Sequence, residues 1–230
     1  MTEKEKEQQN SLLQNLIATL AIATAILVVI CIVLSCLVDT SKKKEKEKEN
    51  VTVKTDKPEI EEMLLTPNKY SRPQIPLKEV NAIVIHYTAN AGSSAEGNRN
   101  YFENLKNKKK NFASSHFIVG LKGEIIQCVP LDEISYASNN RNSDTIAIEC
   151  CHEDDSGKFN EKTYQSVVEL VAWLCGKYNL QKDDIIRHYD VTGKQCPKYY
   201  VKHKKAWSKL KDDVFDYIKK SEENEKKEEK

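Results

Sequence analysis

Between Leu16 and Val38 the chain runs twenty-three residues, LIATLAIATAILVVICIVLSCLV, without a charge. That length matches the hydrocarbon thickness of a bilayer, so the run reads as a transmembrane helix and leaves any globular domain to the residues after it. The leader MTEKEKEQQN mixes signs, and no small-residue cleavage site follows the apolar core, which argues against a cleaved signal peptide. The string VLSC at 33–36 faintly resembles a lipoprotein processing site, but Leu34 stands where a smaller residue is usual.

Composition shifts divide the rest. After a leader at 1–15 and the apolar run at 16–38, residues 39–70 carry SKKKEKEKEN and TDKPEIEEM, mixed charge without apolar periodicity, and read as a flexible linker. As a coil it would reach about 30 Å. Residues 71–220 read as one domain, and the charged tail at 221–230 reads as disordered. The formal net charge of +1 gives no reason to expect a nucleic-acid partner.

Within 71–220 strands and helices alternate. Val80–Tyr87, VNAIVIHY, is a β-branched strand whose period of two puts Ile83, Ile85 and Tyr87 on one face and His86 on the other. A helix follows at 94–107 with a serine cap, then a hairpin of SHFIVGL and EIIQCVP across Lys122 and Gly123. A polar surface loop at 131–144 leads into the strand TIAIECC, which carries Glu149 opposite Ile148 and Cys150. Val167, Leu170, Val171, Leu174 and Tyr178 make an amphipathic helix over 161–178, capped by Asn160. Ile185 and Ile186 form a short strand, and a last helix spans about 203–219. The pattern predicts an α/β fold, a mixed central sheet flanked by helices, preceded by one transmembrane helix.

The chemistry concentrates at IIRHYDVTGKQCPKYY, residues 185–200. His188 and Cys196 are good zinc ligands, and Asp190, Thr192 and Gly193 supply the turn that folds them together with Lys194. His86, also at the C-terminal end of a strand, gives a third ligand. A His, His, Cys set leaves a coordination position open for water, which is a catalytic arrangement rather than a closed structural one. Of the seven cysteines, Cys128, Cys150, Cys151 and Cys175 read as buried apolar residues. Cys150 and Cys151, being adjacent in a strand, face opposite ways and should not bond.

The strings VIHYTAN, SSHFIVGLKGEIIQCVPLDE, DTIAIEC and RHYDVTGKQCP, in this order and spacing, resemble the zinc-dependent N-acetylmuramoyl-L-alanine amidases of the amidase-2 type. These are related to phage lysozyme-like amidases and peptidoglycan recognition proteins. The resemblance runs from about Tyr70 to Ile218. It implies zinc ligands at His86, His188 and Cys196, a catalytic carboxylate at Glu149 and an oxyanion-stabilising Lys194. It also implies hydrolysis of the amide joining N-acetylmuramic acid to L-alanine in peptidoglycan. Tyr136 keeps an aromatic where many relatives carry Trp-His-Ala-Gly and so is expected to contact substrate, although Ala137 lacks the imidazole. Ser115 stands where some members carry a catalytic tyrosine, which shifts the proton work to Glu149.

His116 reads as a structural histidine, and His152 and His203 as surface residues. A second reading is a non-catalytic peptidoglycan-binding module, against which Cys196 counts, since non-catalytic relatives typically lose that ligand. Lys42, Lys43, Lys44, Lys46 and Lys48 follow the apolar run, and the positive-inside tendency would keep the C-terminal side in the cytoplasm. The substrate lies outside, so the expected location is the cell membrane, single-pass, with the catalytic domain on the outer face.

Overall fold

Ile83, Ile85, Ile146 and Ile148 alternate along two neighbouring strands and are fully buried, so one face of the sheet is apolar along its length. In the computed structural model, residues 27, 30, 31, 33–35 and 55–228 are described. The elements in chain order are β1 (Glu61–Glu62), β2 (Ala82–Tyr87), α1 (Ala95–Lys108), β3 (Phe117–Val119), β4 (Ile125–Gln127) and β5 (Thr145–Cys150). They continue with α2 (Glu161–Tyr178), β6 (Ile185–Arg187), α3 (His188–Thr192), α4 (Lys198–Lys202) and α5 (Lys204–Glu228). The strands form one six-stranded sheet in the order β1-β4-β3-β5-β2-β6. Only β3 and β4 are antiparallel; the other pairings are parallel.

The alternation sorts the two faces as expected. Ile83, Ile85, Phe117, Val119, Ile146, Ile148 and Cys150 pack with Leu170, Leu174, Leu210 and Val214 of α2 and α5. Ile118, Ile126, Cys128 and Cys151 pack with Ala95, Phe102 and Leu105 of α1 on the other face. Cys150 and Cys151 thus lie in opposite layers, and both are free thiols. Ser94 Oγ caps α1 by accepting the Gly97 N–H at 3.1 Å, and Asn160 Oδ1 caps α2 by accepting the Thr163 N–H at 2.9 Å. The β3–β4 turn needs Gly123: its φ is +88°, and a Cβ there would stand 2.8 Å from Ser166 Oγ.

Three expectations are corrected. Among the described residues no helix is long and apolar enough to cross a membrane. Of the run at 16–38 only residues 27, 30, 31 and 33–35 are described, helical and exposed, and the rest lies outside the described residues. The transmembrane helix rested on the length of an uncharged run alone, and the structure gives it no support. The leader at 1–15 also lies outside the described residues.

The linker expected at 39–70 is structured from residue 55 onward, as part of the unit Val51–Lys230. β1 forms the sheet edge against β4, and the Met63 and Leu65 N–H groups extend the pairing to Gln127 O and Cys128 O at 3.0 and 2.8 Å. Arg99 of α1 donates to Met63 O and Leu64 O at 2.9 and 2.8 Å, and Arg72 to Leu65 O at 2.9 Å. These contacts satisfy backbone carbonyls that an apolar pattern would not reveal. Leu65→Ala is therefore expected to cost about 2–5 kcal/mol, because its side chain is buried in the α1 layer. Urea unfolding with an unchanged m-value would read this, and a loss below about 0.5 kcal/mol would return the segment to linker status.

The tail expected to be disordered from 221 continues α5 to Glu228.

Candidate metal centre

β2, β5 and β6 end at the same edge of the sheet, and each delivers one polar group there. The parallel register sets His86 of β2 directly against Glu149 of β5, on the face opposite to α2 and α5. His188 follows β6 without a gap, as the first residue of the one-turn helix α3. That turn is helical rather than the open loop the sequence suggested. Asp190 holds it by accepting from the Arg187 N–H at 2.8 Å and pairing with the Arg187 guanidinium at 2.6 Å. Gly193 closes α3 at φ +77°, and Tyr189 N–H donates to Cys196 O at 2.9 Å, which folds the thiol back beside the helix start.

His86, His188 and Cys196 meet at one point. All three are buried, and a ligand atom from each lies within 4.8 Å of the others. Cys196 Sγ is 3.8 Å from His86 Nδ1, and the two imidazoles stand edge to face with centroids 4.7 Å apart. His188 Nε2 is 2.9 Å from Asn139 Oδ1. An amide oxygen only accepts, so the proton sits on Nε2 and Nδ1 keeps its lone pair. That Nδ1 is buried and has no hydrogen-bond partner. His86 Nε2 is 3.4 Å from Ser138 Oγ.

An orphaned, buried imidazole lone pair beside a second imidazole and a thiol fits a zinc ion, which takes nitrogen and sulfur donors. Burial, the neighbouring His188 and Lys194 hold His86 well below the ordinary imidazole range, and burial with Lys194 lowers His188. Both rings are therefore neutral, as ligands must be. Burial and the Glu149 charge push the Cys196 thiol up to about 12. A thiol so raised makes a poor unaided nucleophile, whereas a bound cation would deprotonate it.

The centre opens into a cleft of about 400 Å³, lined also by Glu149, Lys194, Tyr136, Phe112, Asn139 and Asn142. Glu149 lines it with Oε2 buried and without a hydrogen-bond partner. Burial pushes its carboxyl up to about 8, against the downward pull of Lys194. Lys194 itself is exposed at the cleft wall. Tyr136 is half-buried, edge-on to Phe112 with ring centroids 5.6 Å apart, so the cleft has an aromatic side.

Residues 76–199 match the family model described as N-acetylmuramoyl-L-alanine amidase (Amidase_2). This chain belongs to the amidase-2 family. A probable N-acetylmuramoyl-L-alanine amidase of Bacillus licheniformis is 38% identical over 147 residues, 59% of this chain and 41% of that protein. The N-acetylmuramoyl-L-alanine amidase BlyA of Bacillus subtilis (strain 168) is 35% identical over 168 residues, 64% of this chain and 44% of that protein. The chain thus spans less than half the length of these relatives. Among solved structures PlyL superposes with a TM-score of 0.58 at 28% identity, over 68% of this chain and 96% of that one. A mutant endolysin from Bacillus subtilis gives 0.58 at 26% identity, over 68% and 98%.

The histidines outside the metal centre divide differently from expectation. His116 is structural as read: it is fully buried, with Nδ1 accepting the Ala147 N–H at 3.0 Å and Nε2 against Glu133 O at 2.9 Å. Ser115 spends its hydroxyl on Phe117 O at 2.8 Å. His203 is exposed, stacked on Tyr199. His152, expected at the surface, is buried: its ring lies 5.1 Å from that of Tyr87 and its Nδ1 is 2.7 Å from Asp154 O.

Burial lowers the His116 imidazole from 6.5 to about 4. Because the folded value is depressed, this stabilising contribution is whole above pH 6.5 and is lost as pH falls toward about 4, at up to ~1.4 kcal/mol per pH unit. An NMR titration should find the His116 ring neutral through pH 5.5; a ring that charges near 6.5 would contradict it.

Two residues of the site were not foreseen. Ser138 and Asn139, read as part of a polar surface loop, approach His86 and His188 directly.

Proposed function

We propose that this chain is a zinc-dependent N-acetylmuramoyl-L-alanine amidase acting on peptidoglycan, where it hydrolyses the amide between the lactyl group of N-acetylmuramic acid and L-alanine. The observation that carries the proposal is the convergence of three neutral metal donors, a partnerless carboxyl and an ammonium on one cleft. The names of its amidase and endolysin relatives support the same reading.

His86, His188 and Cys196 would hold the zinc ion. A zinc ion in such a site acidifies a water and polarises a carbonyl oxygen. Glu149 takes the proton from the attacking water and delivers it to the nitrogen of the leaving L-alanine. In the metal-free chain burial raises this carboxyl to about 8, and a bound zinc ion would draw it back toward the range near neutrality that suits a group which must both accept and give up a proton. Lys194 places an ammonium beside the carbonyl oxygen as that atom gains charge. Tyr136 offers its ring to the substrate at the rim, with Phe112 behind it.

Peptidoglycan lies at the cell wall, and the reaction is proposed for that side. The zinc-loaded full-length chain should release stem peptides from purified sacculi. A chain that binds sacculi with zinc in place but releases nothing would instead favour the binding-module reading.

A further inference from the structure

We infer that Ser138 and Asn139 are positioning residues of the metal centre, two neighbours on one loop that each take the Nε2–H of one histidine so that both rings present Nδ1 to the same point. The inference rests on the zinc reading of the centre.

The geometry is asymmetric but consistent. Asn139 Oδ1 stands 2.9 Å from His188 Nε2, and Ser138 Oγ stands 3.4 Å from His86 Nε2. The opposite nitrogens face inward: His86 Nδ1 lies 3.8 Å from Cys196 Sγ, and His188 Nδ1 is buried without a partner. A histidine ligand works only when its other nitrogen carries the proton, and a fixed acceptor there sets both the tautomer and the tilt of the ring.

The loop that supplies these acceptors is itself built. Asn142 Oδ1 accepts the N–H groups of Ala137 and Ser138, at 3.1 and 2.6 Å. Thr145 Oγ1 donates to Arg141 O at 2.6 Å, and Arg141 pairs with Asp144 at 2.8 Å. Residue 139 takes φ +53°, a left-handed conformation that asparagine tolerates better than most side chains. That turn sends the side chains of 138 and 139 to two different rings. Ser138 is fully buried, so deleting its hydroxyl would leave the His86 N–H without an acceptor.

The test compares full-length wild type with Asn139→Gly, Ser138→Ala and Asn139→Asp. Glycine is the deletion of choice at 139 because it accepts the positive φ without strain. Three quantities are measured: zinc affinity by competition with a chromophoric chelator, the absorption spectrum of the cobalt-substituted chain, and the melting temperature of the metal-free chain. Each deletion should weaken zinc binding by about 10- to 100-fold and alter the cobalt spectrum. Asn139→Asp, which keeps an acceptor in place, should retain wild-type affinity or exceed it. Melting of the metal-free chain should stay near the wild-type value in Asn139→Gly. Wild-type zinc affinity in both deletions would overturn the positioning role alone, while a wild type that binds no stoichiometric zinc would overturn the zinc reading with it. A loss that follows a lowered metal-free melting temperature, and that Asn139→Asp does not restore, would also overturn it by making the role merely structural.

Discussion

Glu149→Gln should lower kcat on peptidoglycan by about 10²- to 10⁴-fold while leaving zinc stoichiometry unchanged. Glutamine keeps the shape of the side chain but cannot carry a proton from water to a leaving amine. The same substitution should not harm the fold. In the metal-free protein the Glu149 carboxyl is raised from 4.5 to about 8, so the folded chain forgoes an ionisation that the unfolded chain makes. That cost is absent below pH 4.5, grows as pH rises above it and levels off above about 8. Metal-free Glu149→Gln should therefore melt at or above the wild-type temperature at neutral pH, with the two converging in acid. Lost activity with retained zinc and an unlowered melting temperature would separate proton transfer from scaffolding. Wild-type turnover in the variant would remove Glu149 from the mechanism.

Metal removal should abolish turnover altogether, and one equivalent of zinc should restore it. Carbonyl polarisation and water activation at a metal are worth several kcal/mol of barrier, so a loss of three or more orders of magnitude is expected. Cys196→Ser should behave as a partial version of removal, because a hydroxyl is a far weaker zinc donor than the thiolate a bound cation would create at this buried thiol. Zinc should also raise the melting temperature of the wild type in a concentration-dependent way, since only the folded chain gathers His86, His188 and Cys196. Turnover that survives thorough chelation would sink the metal reading. Measured metal content, turnover and melting on the same samples provide the check.

What could be read from the sequence was what local chemistry decides. The β-branched alternation of Ile83–Tyr87 and Ile146–Cys150 put His86 and Glu149 on the face away from the isoleucines, where the register pairs them. Ser94 and Asn160 announced their helices as caps. Gly193 and Asp190 announced the turn that returns Cys196 to His188. Each of these signals lies within a few residues of the feature it predicts.

The failures share the opposite property. Residues 61–65 look like linker because they are held by Arg99, Arg72 and the edge of β4, partners far away in sequence and addressed to backbone carbonyls. His152 looked superficial because nothing in its neighbourhood marks the ring of Tyr87 as its cover. The transmembrane helix expected at 16–38 rested on length and polarity, and no helix among the described residues is long and apolar enough to cross a membrane. Ser138 and Asn139 were passed over because a string of serine and asparagine reads as solvated loop. The usable hint was local after all: SNNRN places two hydrogen-bonding side chains next to an asparagine that can fasten the same turn.

The central claim concerns which bond is broken, so the most direct measurement is the chemical identity of the products from purified sacculi digested by the zinc-loaded full-length chain. Mass spectrometry should find stem peptides with a free L-alanine amino terminus, and glycan strands whose N-acetylmuramic acid residues keep a free lactyl carboxylate. New reducing sugar ends, new amino groups elsewhere in the stem, or intact sacculi in the presence of bound zinc would contradict the account.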